Sequence, residues 1–223
     1  SLGDAPSTAA AIVQAFFVGE EGLPVLAGVL SGRVNPSGRL PVSVPSYPGA
    51  QPSSYLAARL AQATNVCSVD PTPAFGFGHG LGYAPIAWSD AVADESEIGT
   101  DGAVTVSLRV RNQGDRAGAE VVQLYVHRPF ASIVQPVQRL ISFARVELDA
   151  GASAVVSFRV PADLASFTGR EGYRIVEPGE IVLGLARSSA DIVFPLSVQL
   201  VGETQVVDHT RALHADVAVT PDA

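Results

Sequence analysis

The chain has 223 residues, 47% hydrophobic and 16% charged, with a formal net charge of -8, enough apolar material for one large or two ordinary cores and too little charge for a disordered chain. The acidic balance comes without a basic cluster, which argues against a nucleic-acid surface or an anionic membrane as partner, and no apolar run is long enough to cross a bilayer. The single cysteine, Cys67, excludes an internal disulfide framework and leaves the compartment open, cytoplasmic or exported; a small buried or half-buried side chain is the expectation.

No methionine occurs and the chain starts Ser1-Leu2-Gly3-Asp4, so an N-terminus generated by cleavage or by design is expected, with polypeptide missing upstream. Residues 9–18, Ala-Ala-Ala-Ile-Val-Gln-Ala-Phe-Phe-Val, form a continuous apolar run that reads as a strand buried on both faces, as in a parallel sheet. Gly19-Glu20-Glu21-Gly22 follows, and then a helix in which Pro24 suits the first turn, Leu26, Val29 and Leu30 share a face, and Gly32 stands just past the end. Together these make half of a βα unit. Its acidic pair sits where a strand end meets a helix N-terminus, a position that favours negative charge and that open α/β sheets use for ligands.

The next stretch, Asn35-Pro36-Ser37-Gly38-Arg39-Leu40-Pro41-Val42-Ser43-Val44-Pro45, reads as a tight turn followed by an alternating segment. Pro41 and Pro45 lack ladder donors and restrict that segment to an edge or terminal strand. From Pro45 to Pro73 the chain is proline-stiffened, including Tyr47-Pro48-Gly49-Ala50-Gln51-Pro52, with a weakly helical patch over 55–63. Phe75-Gly76-Phe77-Gly78-His79-Gly80-Leu81-Gly82-Tyr83 then interleaves glycines that permit tight turns with aromatics that pin the backbone to an apolar surface. No strand-to-helix context supports a phosphate loop there. His79 has no histidine or cysteine near it in sequence to make a metal site, so a structural hydrogen-bonding role is expected.

After Trp88 the period becomes two. Alternating segments over 104–110, 120–126, 145–148, 154–160, 172–176, 181–186 and 194–200 are separated by turns such as Asn112-Gln113-Gly114-Asp115 and Glu177-Pro178-Gly179-Glu180. About seven strands over roughly a hundred residues is the pattern of an immunoglobulin-like sandwich, and the lack of a Cys-Trp-Cys core favours the fibronectin type III form. A tail over 201–223 carries His209 and His214, read as solvated, and a segment over 213–219 that could add an edge strand.

The blocks in this order resemble the C-terminal part of glycoside hydrolase family 3, the β-glucosidases and β-xylosidases, including its fibronectin type III-like domain. Gly19-Glu20-Glu21-Gly22, Val29-Leu30-Ser31-Gly32 and residues 35–45 match the family's blocks in the family's order, followed by residues 75–83, Arg111-Asn112-Gln113-Gly114 and residues 118–126. Phe143-Ala144-Arg145-Val146-Glu147-Leu148 and Val176-Glu177-Pro178-Gly179 also match, and Ser68-Val69-Asp70-Pro71-Thr72-Pro73 most resembles bacterial β-xylosidase-type members. The resemblance implies three parts: the tail of an α/β sandwich domain with a mostly parallel sheet over 1–85, a fibronectin type III-like β-sandwich over 86–200, and a tail over 201–223. It also implies a retaining reaction that needs two carboxyls roughly 5 Å apart, an Asp on a TIM barrel and a Glu on the α/β domain, both upstream of Ser1. Trp88-Ser89-Asp90 is therefore not the nucleophile, and no catalytic residue is expected in this chain. Gly82 stands where the family usually has Ser, and Leu23-Pro24 replaces small residues after the acidic turn.

Glu20 and Glu21 are the candidates for a place near the sugar cleft, and Asn35, Pro36, Gly38, Pro41, Gly78, His79 and Gly80 are the structural motif. No metal or cofactor is implied. The implied partners are the missing catalytic part of the same enzyme and an oligosaccharide, with neither nucleic acid nor membrane. A non-catalytic carbohydrate-binding module is the rival reading, since sandwiches can display aromatic platforms; against it, few aromatics here look exposed, Tyr125, Phe130, Tyr173 and Phe194 falling mostly in strand or strand-edge positions. A purely adhesive sandwich is the third, and half a parallel sheet before Trp88 argues against it.

Overall fold

The computed structural model describes residues 2–50, 55–66 and 68–222; the expectation for Cys67 and the Gln51-Pro52 part of the proline-rich stretch lie outside them. Two helices come first, α1 (Ala5–Thr8) and α2 (Gly22–Leu30). Twelve strands follow: β1 (Ile86–Ala93), β2 (Glu97–Gly99), β3 (Ala103–Asn112), β4 (Gly118–His127), β5 (Arg139–Leu148), β6 (Ser153–Pro161), β7 (Phe167–Thr168), β8 (Arg174–Val176), β9 (Gly179–Ser188), β10 (Asp191–Val201), β11 (Gln205–Val206) and β12 (Asp216–Asp222).

The strands build a sandwich. One sheet has the order β1-β3-β6-β12 and the other β2-β10-β9-β4-β5, with a small β11-β8-β7 sheet beside them. The alternating sequences explain the packing: on β3 Val104, Val106, Leu108 and Val110 point inward, and on β6 Val156, Phe158 and Val160 do the same. Leu124 of β4 and Leu183 and Leu185 of β9 fill the opposing face. The residues between β11 and β12 cross back so that β12 lies antiparallel to β6 at the sheet edge, from Asp216 opposite Arg159 to Asp222 opposite Ser153. β1 and β2 carry no clean alternation and are not evident in the sequence. β2 is short and pairs in parallel with β10.

The first 85 residues differ from the expectation. The run at 9–18 belongs to no strand; it is irregular, with Phe16 at φ +50°, and almost wholly exposed, with Phe17 fully open to solvent. A parallel strand needs a neighbour for its backbone groups and a cover for both faces, and the described residues supply neither. The mostly parallel sheet is therefore absent among them. The helix is present, but only Gly28 in it is buried. The patch at 55–63 reduces to a 3-10 turn, Arg59–Ala61. The alternating segment at 40–44 is likewise no regular strand. Leu40 exchanges backbone bonds with residues 78 and 79 (Leu40 N to His79 O 2.9 Å, Gly78 N to Leu40 O 2.7 Å), and Val44 does so with residues 74 and 75. Pro41, with no N–H to give, separates the two contacts.

Candidate functional site

The motif residues converge where the N-terminal segment meets β4. Asn35 works in both directions: its Oδ1 accepts from Tyr83 N at 2.7 Å and its Nδ2 donates to Ala117 O at 3.1 Å. The tight turn expected at Asn35-Pro36-Ser37-Gly38 does not form: residues 35–38 carry neither a turn nor a bend, their backbone makes no bond across the four residues, and the chain passes through them to Arg39, which reaches the sandwich. The Arg39 guanidinium donates to the Ser37 and Gly38 carbonyls and meets the Glu120 carboxylate at 2.7 Å. Glu120 is fully engaged. One oxygen also accepts from Val121 N at 2.9 Å, and the other accepts from the Trp88 indole at 3.2 Å. With side chains only 13% and 8% exposed, this pair is a structural tie between the two regions and has no face open to a substrate.

The Phe-Gly block lies along the outer face of β4. Gly78 has φ +79°, and a Cβ there would stand 2.1 Å from the Gln123 amide oxygen, so neither the backbone nor the space admits a side chain. Gln123 Nε2 donates to Gly78 O at 3.0 Å and to Arg187 O at 2.6 Å, while its Oε1 accepts from the Tyr125 hydroxyl at 2.7 Å. Gly80 packs against residues 35–38, where a Cβ would come 2.3 Å from Gly38 O. Phe77 stacks on Tyr55 at 4.4 Å between centroids, and Tyr55 meets Tyr125 edge-on. His79 stacks on Phe75 at 5.2 Å. Burial, and then the Arg39 charge, hold its imidazole below the ordinary histidine range, with Asp191 opposing weakly. Further along, Arg116 donates to Gly32 O at 2.7 Å and the Tyr83 hydroxyl to Val29 O at 2.8 Å, which ties the end of α2 to the same junction.

Glu20 and Glu21 stand apart from this network. Glu20 is in the turn after Gly19 and Glu21 is the N-cap of α2 without a side-chain capping bond; both are exposed. No hydrogen bond or ion pair to either is present among the described residues. Asp90 is exposed and pairs with Ser89 and Arg109. Of the four sandwich aromatics, Tyr125 is buried and Phe194 packs against the core, which leaves Phe130 and Tyr173 exposed. No group of three potential metal ligands occurs among the described residues, and no helix is long and apolar enough to cross a membrane.

The sequence signal for Glu120 and Gln123 is their position. Glu120 precedes Val121-Val122, and Gln123 separates that pair from Leu124-Tyr125-Val126, in a strand covered on both faces, where buried polar side chains require fixed partners. Arg39 is the only basic residue of its block, and a buried carboxylate needs such a charge.

Comparison with known proteins decides the lineage. The Glycosyl hydrolase family 3 C-terminal domain matches residues 2–83, and the Fibronectin type III-like domain matches residues 120–189. The chain belongs to glycosyl hydrolase family 3. Relatives include a β-glucosidase of Rhizobium radiobacter, 35% identical over 206 residues that cover 85% of this chain and 25% of that protein. A putative β-xylosidase of Formosa agariphila is 32% identical over 181 residues, covering 81% of this chain and 24% of that protein. Among solved structures, a β-glucosidase from Erythrobacter marinus superposes with a TM-score of 0.77 at 36% identity, covering 84% of this chain and 25% of that one. The β-glucosidase from Listeria innocua in complex with glucose gives 0.79 at 28% identity, covering 85% and 28%. The chain thus spans about a quarter of the length of the relatives it matches, and the matched family domain is a C-terminal one.

Proposed function

We propose that this chain is the C-terminal segment of a retaining, exo-acting β-glycosidase that releases terminal β-linked glucose or xylose from oligosaccharides. In that enzyme residues 1–85 complete an α/β domain, residues 86–200 form the buttressing sandwich and residues 201–223 close its edge. The observation that carries the reading is the ordered pair of family matches on a chain that spans about a quarter of its relatives. The nucleophile and the acid/base lie in the remaining catalytic part, a TIM barrel and the start of the α/β domain, which is the chain's main partner. Residues 9–18 then become a strand of the mostly parallel sheet once that part provides neighbours. The exposed Ile12, Val13, Phe16, Phe17, Leu23 and Leu30 support this, because side chains of this kind left open together mark a surface that another polypeptide covers.

Glu20 and Glu21, exposed at the entry to α2 and without partners among the described residues, are assigned to the rim of the sugar cleft. The test is hydrolysis of p-nitrophenyl β-glucoside and β-xyloside by this chain alone and by the chain joined to the catalytic part of its enzyme. Activity is expected only in the second case, and in that enzyme E20Q and E21Q are expected to raise KM. Unchanged kinetics in both variants would remove these residues from the cleft while leaving the assignment of the chain intact.

A further inference from the structure

The sandwich carries a second polar feature, remote in sequence from the junction. Two adjoining hollows share Arg139, at the start of β5, and Arg174, at the start of β8. The larger, about 260 Å³, is lined also by Arg128, Gln135, Ser166 and Thr168, with no acidic residue in its wall. The smaller, about 130 Å³, adds Arg211 and Asp163. Four guanidiniums thus gather on a chain whose net charge is -8, and none of the four forms an ion pair among the described residues.

Their existing bonds orient them without neutralising them. Arg174 Nε and Nη2 donate to the Ser166 hydroxyl and carbonyl, both at 2.8 Å. Arg139 donates to Leu164 O, and Arg211 to Asp208 O at 3.3 Å. Arg128 is 8% exposed, donates to Glu177 O at 3.0 Å and lies over the Phe167 ring at 5.6 Å; its Nε and Nη1 are buried and have no partner. The Glu177 charge opposes the effect of burial on Arg128, and its carboxylate accepts from Ser132 N on the other side. The Asp163 carboxylate accepts from Ala212 N and leaves Oδ1 buried and unpaired. Burial lowers the pKa of Arg139 and Arg174, and like charges reinforce the shift, with Arg174 and Arg211 acting on Arg139 and Arg211 on Arg174. A cluster held at that cost by backbone carbonyls is preorganised for negative charge.

We propose that the hollow walled by Arg128, Arg139 and Arg174, with Ser166 and Thr168 at its side, binds a small oxyanion: a phosphate, a sulfate or the carboxylate of an acidic sugar. Tetrahedral and planar oxyanions share the chemistry that guanidinium forks recognise, and the hollow has room for either with accompanying water. The site would tie the β7-β8 ribbon to the ends of β4 and β5, and so stabilise that end of the sandwich when filled.

The test is titration of the full chain with sodium phosphate, sodium sulfate and sodium glucuronate at constant ionic strength, with chloride as balance, followed by calorimetry and by the thermal midpoint. Saturable binding and a rise in the midpoint are expected for at least one anion. Loss of one charge-assisted contact in R139Q or R174Q is expected to weaken binding about tenfold or more. Phosphate and sulfate binding without glucuronate would assign a tetrahedral ligand, and the reverse an acidic sugar. R211Q, at the margin of the cluster, keeps the test sound if the other two variants fail to fold, and should weaken binding by a smaller factor. No saturable signal above the chloride control for any of the three anions would overturn the proposal, as would equal binding in R139Q, R174Q and R211Q.

Discussion

The two regions of this chain use similar apolar residues in opposite ways. Every side chain of the buried hydrophobic core lies at or beyond Ile98; before residue 85, the described buried positions are Gly28, Ser43, Gly76 and Gly78. The sandwich therefore closes on itself, whereas the N-terminal region is held by a seam of polar contacts around Asn35, Arg39 and Gly78 and leaves its apolar residues outside. Hydrophobic content alone does not make a core. It does so only where the period of the sequence finds a facing surface within reach of the chain.

The strongest way to break that contrast is to cut the core. Phe158 is fully buried, and Phe158→Ala should cost about 3 to 5 kcal/mol, read as a drop in the urea midpoint of the sandwich. Next comes the seam. Glu120→Ala leaves Arg39 buried without its charge and Trp88 without an acceptor, so about 3 kcal/mol of docking should be lost. Hydrogen exchange at Leu40, Val44 and Gly78 should then accelerate while the β3 and β6 amides stay protected. Equal acceleration in the sandwich would mean that the two regions do not open separately.

A smaller effect should follow pH. The His79 imidazole is depressed in the fold, so the unfolded chain takes up its proton first as pH falls below about 6.5. The stability of the seam is complete above that value and declines below it until the folded ring also protonates. His79→Gln should flatten this part of the profile. The smallest effect is expected from Phe17→Ser: in the isolated chain a fully exposed side chain should change stability by no more than about 0.5 kcal/mol. In the complete enzyme the same substitution should weaken association with the catalytic part, and the difference between the two settings sharpens the comparison.

What could be read in the sequence follows the same division. Strands such as β3 and β6 were legible because their alternation is matched by a facing sheet in the same chain. The Asn35-Pro36-Ser37-Gly38 sequence and the Phe-Gly block were legible as a family signature, but their meeting on β4 was not, because it depends on Glu120 and Gln123, more than eighty and about forty-five residues away in sequence. The run at 9–18 has the composition of a doubly buried strand, yet composition carries no information about whether the neighbours are present. β1 was hidden for a local reason: a bulge between Ser89 and Val92, with Asp90 at φ +53°, interrupts its alternation.

The most direct test of the account is native mass spectrometry of this chain mixed with the catalytic part of its enzyme, coupled to assay of β-glucoside and β-xyloside hydrolysis. A one-to-one complex that gains activity, with loss of the apolar dye binding expected of the chain alone, is the predicted result. A chain that remains monomeric in the mixture, binds no dye and unfolds in one cooperative step including residues 9–30 would contradict it.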